Sequence, residues 1–201
     1  MAKPEWIARQ SQRPSGWIGE IVARVMSFET APANRAALDV LAVQPGEEVL
    51  EVGCGHGRTL ARLAATAGVR VAGVDPSDVM VGVARRRLRR AIAAGRAEVA
   101  LGSGEALPHP AARFDAAFAV HVVYFWREPQ ADLQELRRVL RPGGRLLLGY
   151  KPRDEKTLAA LPASVYTLRK VEEIEALLAD AGFGEIRTEV RSGVACTLAR
   201  R

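Results

Sequence analysis

Val49-Leu50-Glu51-Val52-Gly53-Cys54-Gly55-His56-Gly57 joins a short apolar run to three glycines at alternate positions. An apolar run of this length stopped by glycine reads as a buried strand, and the stretch after it, Arg58 to Ala67, reads as a helix. Glycines at such a turn leave the backbone bare, so a ligand can lie against it at the carboxyl edge of a parallel sheet. A nucleotide-type cofactor suits that place, although a merely tight strand-to-helix turn would account for the same glycines. The dinucleotide fingerprint GxGxxG needs Gly or Ala at position 58, where Arg58 stands, and the phosphate-loop Gly-Lys-Ser/Thr is absent. The loop is therefore not built for a pyrophosphate or a triphosphate.

Outward from this loop, short apolar runs alternate with amphipathic stretches, the pattern of a parallel sheet with helices on both faces. The class is α/β. Strands are expected at Glu48 to Val52, Val69 to Asp75, Ala97 to Leu101, Phe114 to Val122 and Arg145 to Lys151. Between them fall helices at about Arg58 to Ala67, Ser77 to Ala94 and Gln130 to Leu140, with Ser77 as N-cap and Gly95 in a left-handed C-terminal position. Before the sheet, Ile18, Ile21, Val22 and Val25 keep helical spacing, and a second helix covers about Pro32 to Val43 until Pro45-Gly46 stops it. Lys151 to Thr167 reads as a loop, followed by a helix through Val171, Ile174, Leu177, Leu178 and Ala181. The tail reads as two strands, Glu185 to Arg191 and Val194 to Arg200, joined at Ser192-Gly193.

The 201 residues, 48% apolar and 26% charged, suit one globular domain and exclude a disordered or collagen-like chain. The organisation expected is a single domain over 1–201, with an amino-terminal helical cap over 1–43 and a core over 44–201. The apolar run Ala116 to Trp126 is far shorter than the roughly 20 residues that span a bilayer, and Met1 to Gly16 lacks the apolar run of a secretory signal, so a cytoplasmic protein is expected. Cys54 and Cys196 form no CxxC pair, and His56, His109 and His121 lack metal-ligand spacing, so no metal is expected. The formal charge is +6. It permits nucleic-acid binding without requiring it, and the densest cluster, Arg85, Arg86, Arg87, Arg89 and Arg90, reads first as a solvated helix face.

Asp75 ends the second strand, where a carboxylate can accept from both hydroxyls of a ribose; an ordinary turn or capping role before Pro76 is the alternative. Together with the glycine loop it points to an adenosine-containing cofactor.

Glu51-Val-Gly-Cys-Gly-His-Gly57, Val74-Asp75-Pro-Ser77, Gly102-Ser-Gly-Glu-Ala-Leu-Pro108, Phe114-Asp115 and Arg138-Val-Leu-Arg-Pro-Gly-Gly144 stand in one order along the chain. In order and spacing they resemble the motifs of class I S-adenosylmethionine-dependent methyltransferases, over about residues 33 to 200. The resemblance is to the branch that includes quinone-biosynthesis and other small-molecule enzymes. It implies a Rossmann-like, doubly wound, seven-stranded sheet, mostly parallel with a reversed last strand, and S-adenosyl-L-methionine as cofactor. It further implies that Gly53, Cys54 and Gly55 line the methionine part, that Glu51 holds its amino group and that Asp75 binds the ribose. Pro76 and Met80 would flank the adenine. Many relatives carry an Asp that bonds the adenine amino group where this chain has Ser103, which shifts that role toward Gly104 and Glu105. Cys54 is expected as a small loop residue and not as a nucleophile.

Methyl transfer from a sulfonium needs alignment and exclusion of water more than a catalytic set, and positioning alone supplies roughly 7 to 11 kcal/mol in well-oriented reactions. Val120-His121-Val-Val-Tyr124-Phe-Trp126 stands where acceptor and sulfonium should meet. It lacks the Asn/Asp-Pro-Pro-aromatic motif of enzymes that methylate base amines, so nucleic acid is disfavoured and a small-molecule acceptor expected. His121 is a candidate general base or orienting donor, with a packed core histidine as the alternative, and Tyr124 is a candidate beside it or a pocket wall. Trp17, Met26, Phe28, Tyr150 and Tyr166 form either an apolar lid or the contacts that dock the amino-terminal segment. An RNA or protein methyltransferase, a non-catalytic S-adenosylmethionine-binding regulator and an NAD-dependent oxidoreductase are the alternative readings. A homodimer is left open.

Overall fold

The computed structural model describes residues 3–12, 30–191 and 193–201. The helix expected over Ile18 to Val25, with Trp17, Met26 and Phe28, lies outside the described residues, as does Ser192 of the hairpin turn.

Seven strands form one sheet: β1 Glu48–Val52, β2 Arg70–Asp75, β3 Ala97–Leu101, β4 Phe114–Val120, β5 Leu140–Tyr150, β6 Gly184–Arg191 and β7 Val194–Arg200. Their spatial order is β3-β2-β1-β4-β5-β7-β6. The first five pair in parallel, and β7 runs antiparallel to both β5 and β6. The chain moves outward from β1 to β3, then returns to place β4 on the other flank of β1. Loops leaving β1 and β4 consequently diverge, and the crevice between them is where doubly wound sheets bind ligands.

Period-two alternation sends successive side chains to opposite faces. On one face Leu50, Ala72, Val74, Ala117 and Leu148 pack with Leu133 and Leu136 of α5 (Pro129–Val139) and Ile174 and Leu178 of α7 (Val171–Asp180). On the other, Val49, Val71, Ala116, Phe118 and Leu147 pack with α2 (Ala31–Leu41), α3 (Arg58–Leu63) and α4 (Asp78–Ala93). All five residues of β1 are buried, the two glutamates Glu48 and Glu51 included, as expected of a central strand covered on both faces. At the amino ends of the strands, Arg113 bridges Glu48 and Glu98 at 2.7 Å each and Arg145 holds Glu47 at 2.8 Å. Polar pairing closes that edge, and the opposite edge carries the cavity.

Ser77 caps α4 as expected, its Oγ accepting from Met80 N at 3.3 Å, and Gly95 has φ +64°. Several boundaries differ from expectation, and α3 ends at Leu63 instead of Ala67. β4 stops at Val120 because His121 takes φ +60° and turns the chain into the 3-10 turn Val123–Phe125. β5 begins at Leu140, since Leu140 already pairs with Phe114 before the Arg141–Gly144 segment shifts the register. The expected loop after Lys151 contains α6 (Glu155–Ala160), capped by Asp154, whose carboxylate accepts from Thr157 N at 2.7 Å. An unforeseen α1 (Glu5–Gln12) docks through Ala8, fully buried, and a Lys3 N–H donated to Ala160 O at 2.9 Å.

Candidate functional site

The three glycines all have left-handed φ, each for its own reason. A Cβ at Gly53 (φ +73°) would lie 2.4 Å from a Val122 methyl, and one at Gly57 (φ +70°) would press on Ala84 of α4 at 3.0 Å. Gly55 (φ +50°) is different, because nothing lies within 4 Å of where its Cβ would stand. Its missing side chain leaves open space in a cavity of about 500 Å³, within the usual range for small-molecule sites.

Glu51, Gly53, Cys54 and Gly55 line this cavity from β1 and its loop, and Asp75, Pro76 and Met80 from β2 and the start of α4. Ser103, Gly104 and Glu105 line it from the loop after β3, Val120 and His121 from the end of β4. The structure thus brings together every expected cofactor residue. Tyr124 stands behind this wall, buried, and reaches the cavity only through His121.

The Asp75 carboxylate already has two partners: Oδ2 accepts from Gly55 N at 2.8 Å and Oδ1 from Ser77 N at 2.9 Å. Burial raises its pKa, while these two N–H groups draw it back down. Glu51 is buried, with its pKa raised well above the ordinary value by burial and by nearby Asp75. Thr59 and the Leu60 N–H bond its carboxylate, yet Oε2 has no partner among the described residues. A buried acceptor without a donor costs about 1–3 kcal/mol, and a donor arriving with a ligand would relieve that. The Cys54 thiol is pushed well up by burial and the neighbouring carboxylates, so it stays protonated and fills space against Gly73 and not as a nucleophile.

His121 and Tyr124 define a hydrogen-bond chain. Lys151 N–H donates to the Tyr124 hydroxyl, and that hydroxyl lies 3.0 Å from His121 Nδ1. Burial, with Lys151 and Lys3 nearby, lowers His121 to about 4, leaving a neutral ring at pH 7. A ring protonated on Nε2 accepts from the Tyr124 hydroxyl and presents an N–H donor to the cavity, whereas one protonated on Nδ1 donates to that hydroxyl and presents a base nitrogen. Tyr124 is raised above its ordinary value by burial and stays protonated.

Tyr150 and Tyr166 form no lid over the cavity; the other alternative, contacts that dock the amino-terminal segment, fits Tyr166, whose hydroxyl accepts from Lys3 Nζ at 3.5 Å. Tyr150 is a core residue, its hydroxyl 3.0 Å from Thr197 Oγ1, and Tyr166 packs on Tyr124 and Phe125 with ring centroids 5.7 and 5.2 Å away. Neither lines the cavity. Trp126, at the end of the expected acceptor segment, lines it, and sequence reasoning missed Gln10 of α1, Asn34 of α2, and Arg127 and Asp132 around the start of α5, all of which line it too. Asp132 alone left a signal, as an acid one helical turn before Leu136 on the apolar stripe. In the arginine cluster of α4, Arg85 donates to Val99 O and Arg87 to His56 O, which accords with a solvated face folded back onto the protein.

A doubly wound sheet with a bare glycine loop at the switch point and a carboxylate at the next strand end defines a nucleotide-cofactor-binding α/β protein. The methyltransferase domain family matches residues 50–148. Over 94% of its length the chain is 28% identical to the O-methyltransferase cnsE of Penicillium expansum, covering 67% of that protein. It is 30% identical to the O-methyltransferase resE of Aspergillus sclerotiorum, with 89% of this chain and 70% of the relative aligned. The fold matches a solved S-adenosylmethionine-dependent methyltransferase from Aquifex aeolicus with TM-score 0.72 at 21% identity, over 89% and 95% of the two chains. The chain belongs to the class I S-adenosylmethionine-dependent methyltransferases.

Proposed function

We propose that the cavity takes S-adenosylmethionine and a small acidic acceptor side by side, and that the methyl group passes to an oxygen of the acceptor. The observation that carries the cofactor half is Glu51 Oε2, a buried acceptor without a partner among the described residues, on a residue that lines the same cavity as Gly55. An amino group of the cofactor's methionine part would supply the missing donor, and Gly53 and Gly55 let that part lie on the backbone. Asp75 retains lone pairs for the ribose hydroxyls while it holds the loop, and Pro76 and Met80 border the base. Bound there, the cofactor supplies a methyl group on a sulfonium that leaves as a neutral sulfide.

The chain's own residues then orient and protect. In this reading the Tyr124 hydroxyl donates to His121 Nδ1 and the ring carries its proton on Nε2, and an Nε2–H donor beside the reacting atom favours an oxygen that already carries negative charge. Lys151 and Lys3, whose charges reach His121, add to that preference. A carboxylic acid, or another acceptor acidic enough to be ionised at neutral pH, has already lost its proton to water and needs no base, which suits a histidine held at about 4. The O-methyltransferase relatives accord with an oxygen acceptor. Gln10 and Asn34 offer amide groups for the rest of the molecule.

Among the described residues no helix is long and apolar enough to cross a membrane. The same reading assigns the protein to the cytoplasm, where such acceptors and the cofactor meet, and takes 44–201 as the catalytic core beneath an amino-terminal cap over 1–43.

Incubation with a fractionated metabolite extract and methyl-labelled S-adenosylmethionine, followed by mass spectrometry, tests the proposal. Label is expected in an acidic small molecule. Binding of S-adenosylhomocysteine with no label transferred would favour the non-catalytic regulator, and label in RNA or protein would move the acceptor class.

A further inference from the structure

Asp132 belongs to the first turn of α5, beyond every motif that marks the cofactor loops. It is 4% exposed and borders the cavity. Its Oδ1 lies 2.3 Å from where a Cβ of Gly104 would stand, so the carboxylate occupies the gap left by the absent side chain. Among the described residues its carboxyl is held only by its own backbone N–H. Trp126 also closes on this spot, its Nε1 3.5 Å from the same Cβ position. A nearly buried acceptor that borders a cavity without a donor implies a donor on the ligand.

The sheet order says which part of the ligand that is. Adjacent strands lie about 4.8 Å apart, and β3 stands two strands out from β1 and three from β4 in the order β3-β2-β1-β4. His121, at the end of β4, is therefore remote from the loop after β3, whereas Asp75, at the end of β2, is its neighbour. A ligand with its ribose at Asp75 and its reacting end near His121 extends its base over Ser103 and Gly104. The donor on the outer edge of an adenine is its exocyclic amine. Glu105, the other carboxylate nearby, is exposed, and Ser103 offers only a hydroxyl.

We propose that Asp132 accepts the hydrogen bond of the adenine amino group, reaching it from α5 past Gly104, and so sets the cofactor's base specificity. This rests on the cofactor reading above. Burial and Glu105 raise Asp132 to about 7, but an acceptor oxygen remains in either protonation form.

Isothermal titration with S-adenosylhomocysteine, and with its analogue carrying hydrogen in place of the base amino group, tests this. The wild-type protein is expected to prefer the amino form about 10-fold or more, as one hydrogen bond to a buried carboxyl provides. Asp132→Ala should weaken S-adenosylhomocysteine by that factor and leave the analogue unchanged, while Asp132→Asn, which keeps an acceptor oxygen, retains part of the preference. Undiminished preference for the amino form in a folded Asp132→Ala protein overturns the role of Asp132 and leaves the cofactor reading standing. Failure of the wild type to bind either ligand overturns both.

Discussion

Asp75 Oδ2 accepts the Gly55 N–H at 2.8 Å, so the end of β2 holds the loop that leaves β1. The same carboxylate accepts Ser77 N at 2.9 Å and thereby joins that loop to the start of α4. A residue read as a ligand contact is also what shapes the neighbouring glycine loop.

Asp75→Ala should for this reason lower both affinity and stability. Loss of charge-assisted hydrogen bonds worth about 1.5–3 kcal/mol each weakens S-adenosylhomocysteine by at least roughly 10- to 150-fold. The unliganded protein should melt several degrees lower, about 2–4 °C per kcal/mol in a chain of this size. Calorimetry and a thermal melt read the two effects, and intact affinity would put the ribose elsewhere.

Glu51→Gln should separate stability from binding. Burial raises the folded pKa of Glu51, so the folded state binds more protons than the unfolded one. Stability from this group is complete below the unfolded value and is lost as pH rises toward the folded one. Removing the titration should raise the melting temperature of the unliganded protein by a few degrees at neutral pH while cutting S-adenosylhomocysteine affinity about 10-fold. A parallel fall in both would show that Glu51 is structural.

Gly55→Val should spare the fold and remove ligand binding. No protein atom meets the new Cβ, but φ +50° strains a branched residue by about 1–3 kcal/mol and its methyls enter the cavity. Circular dichroism with a ligand titration checks this; a molten chain would mean that the glycine serves the turn alone.

His121→Asn keeps an N–H donor and should retain most turnover on the acceptor once that is known, whereas His121→Ala should lose about 10-fold or more. Equal, severe loss in both variants would restore the base. Acid stability gives a second readout. Because His121 is lowered to about 4 when folded, against about 6.5 unfolded, the unfolded chain binds more protons between those values. Stability is full above the unfolded value and falls as pH drops through the folded one, so His121→Asn should flatten the urea-unfolding curve between about pH 6.5 and 4.

Much of this architecture is written locally. β1 and β3, the Ser77 cap and the left-handed turn at Gly95 follow from apolar periodicity and from the torsions glycine permits, neither of which needs distant partners. α1 escaped notice because its one fully buried apolar anchor, Ala8, leaves no periodic stripe. The start of β5 did too, since Arg-Pro-Gly-Gly reads as a turn and becomes strand only by pairing Leu140 with Phe114.

The sequence by itself determined an α/β sheet and the glycine loop, strand-end carboxylate and post-β4 segment that border one cavity. Only the tertiary structure decided what those groups are free to do. The Lys151–Tyr124–His121 chain, which ties the candidate base to a buried hydroxyl, depends on a contact between residues 27 positions apart across two loops. Asp132 meets Gly104 only because α5 packs beneath the loop after β3. Strand and helix patterns come from interactions a few residues apart, whereas the protonation and partners of a buried polar group depend on whichever segments the sheet order brings to its edge.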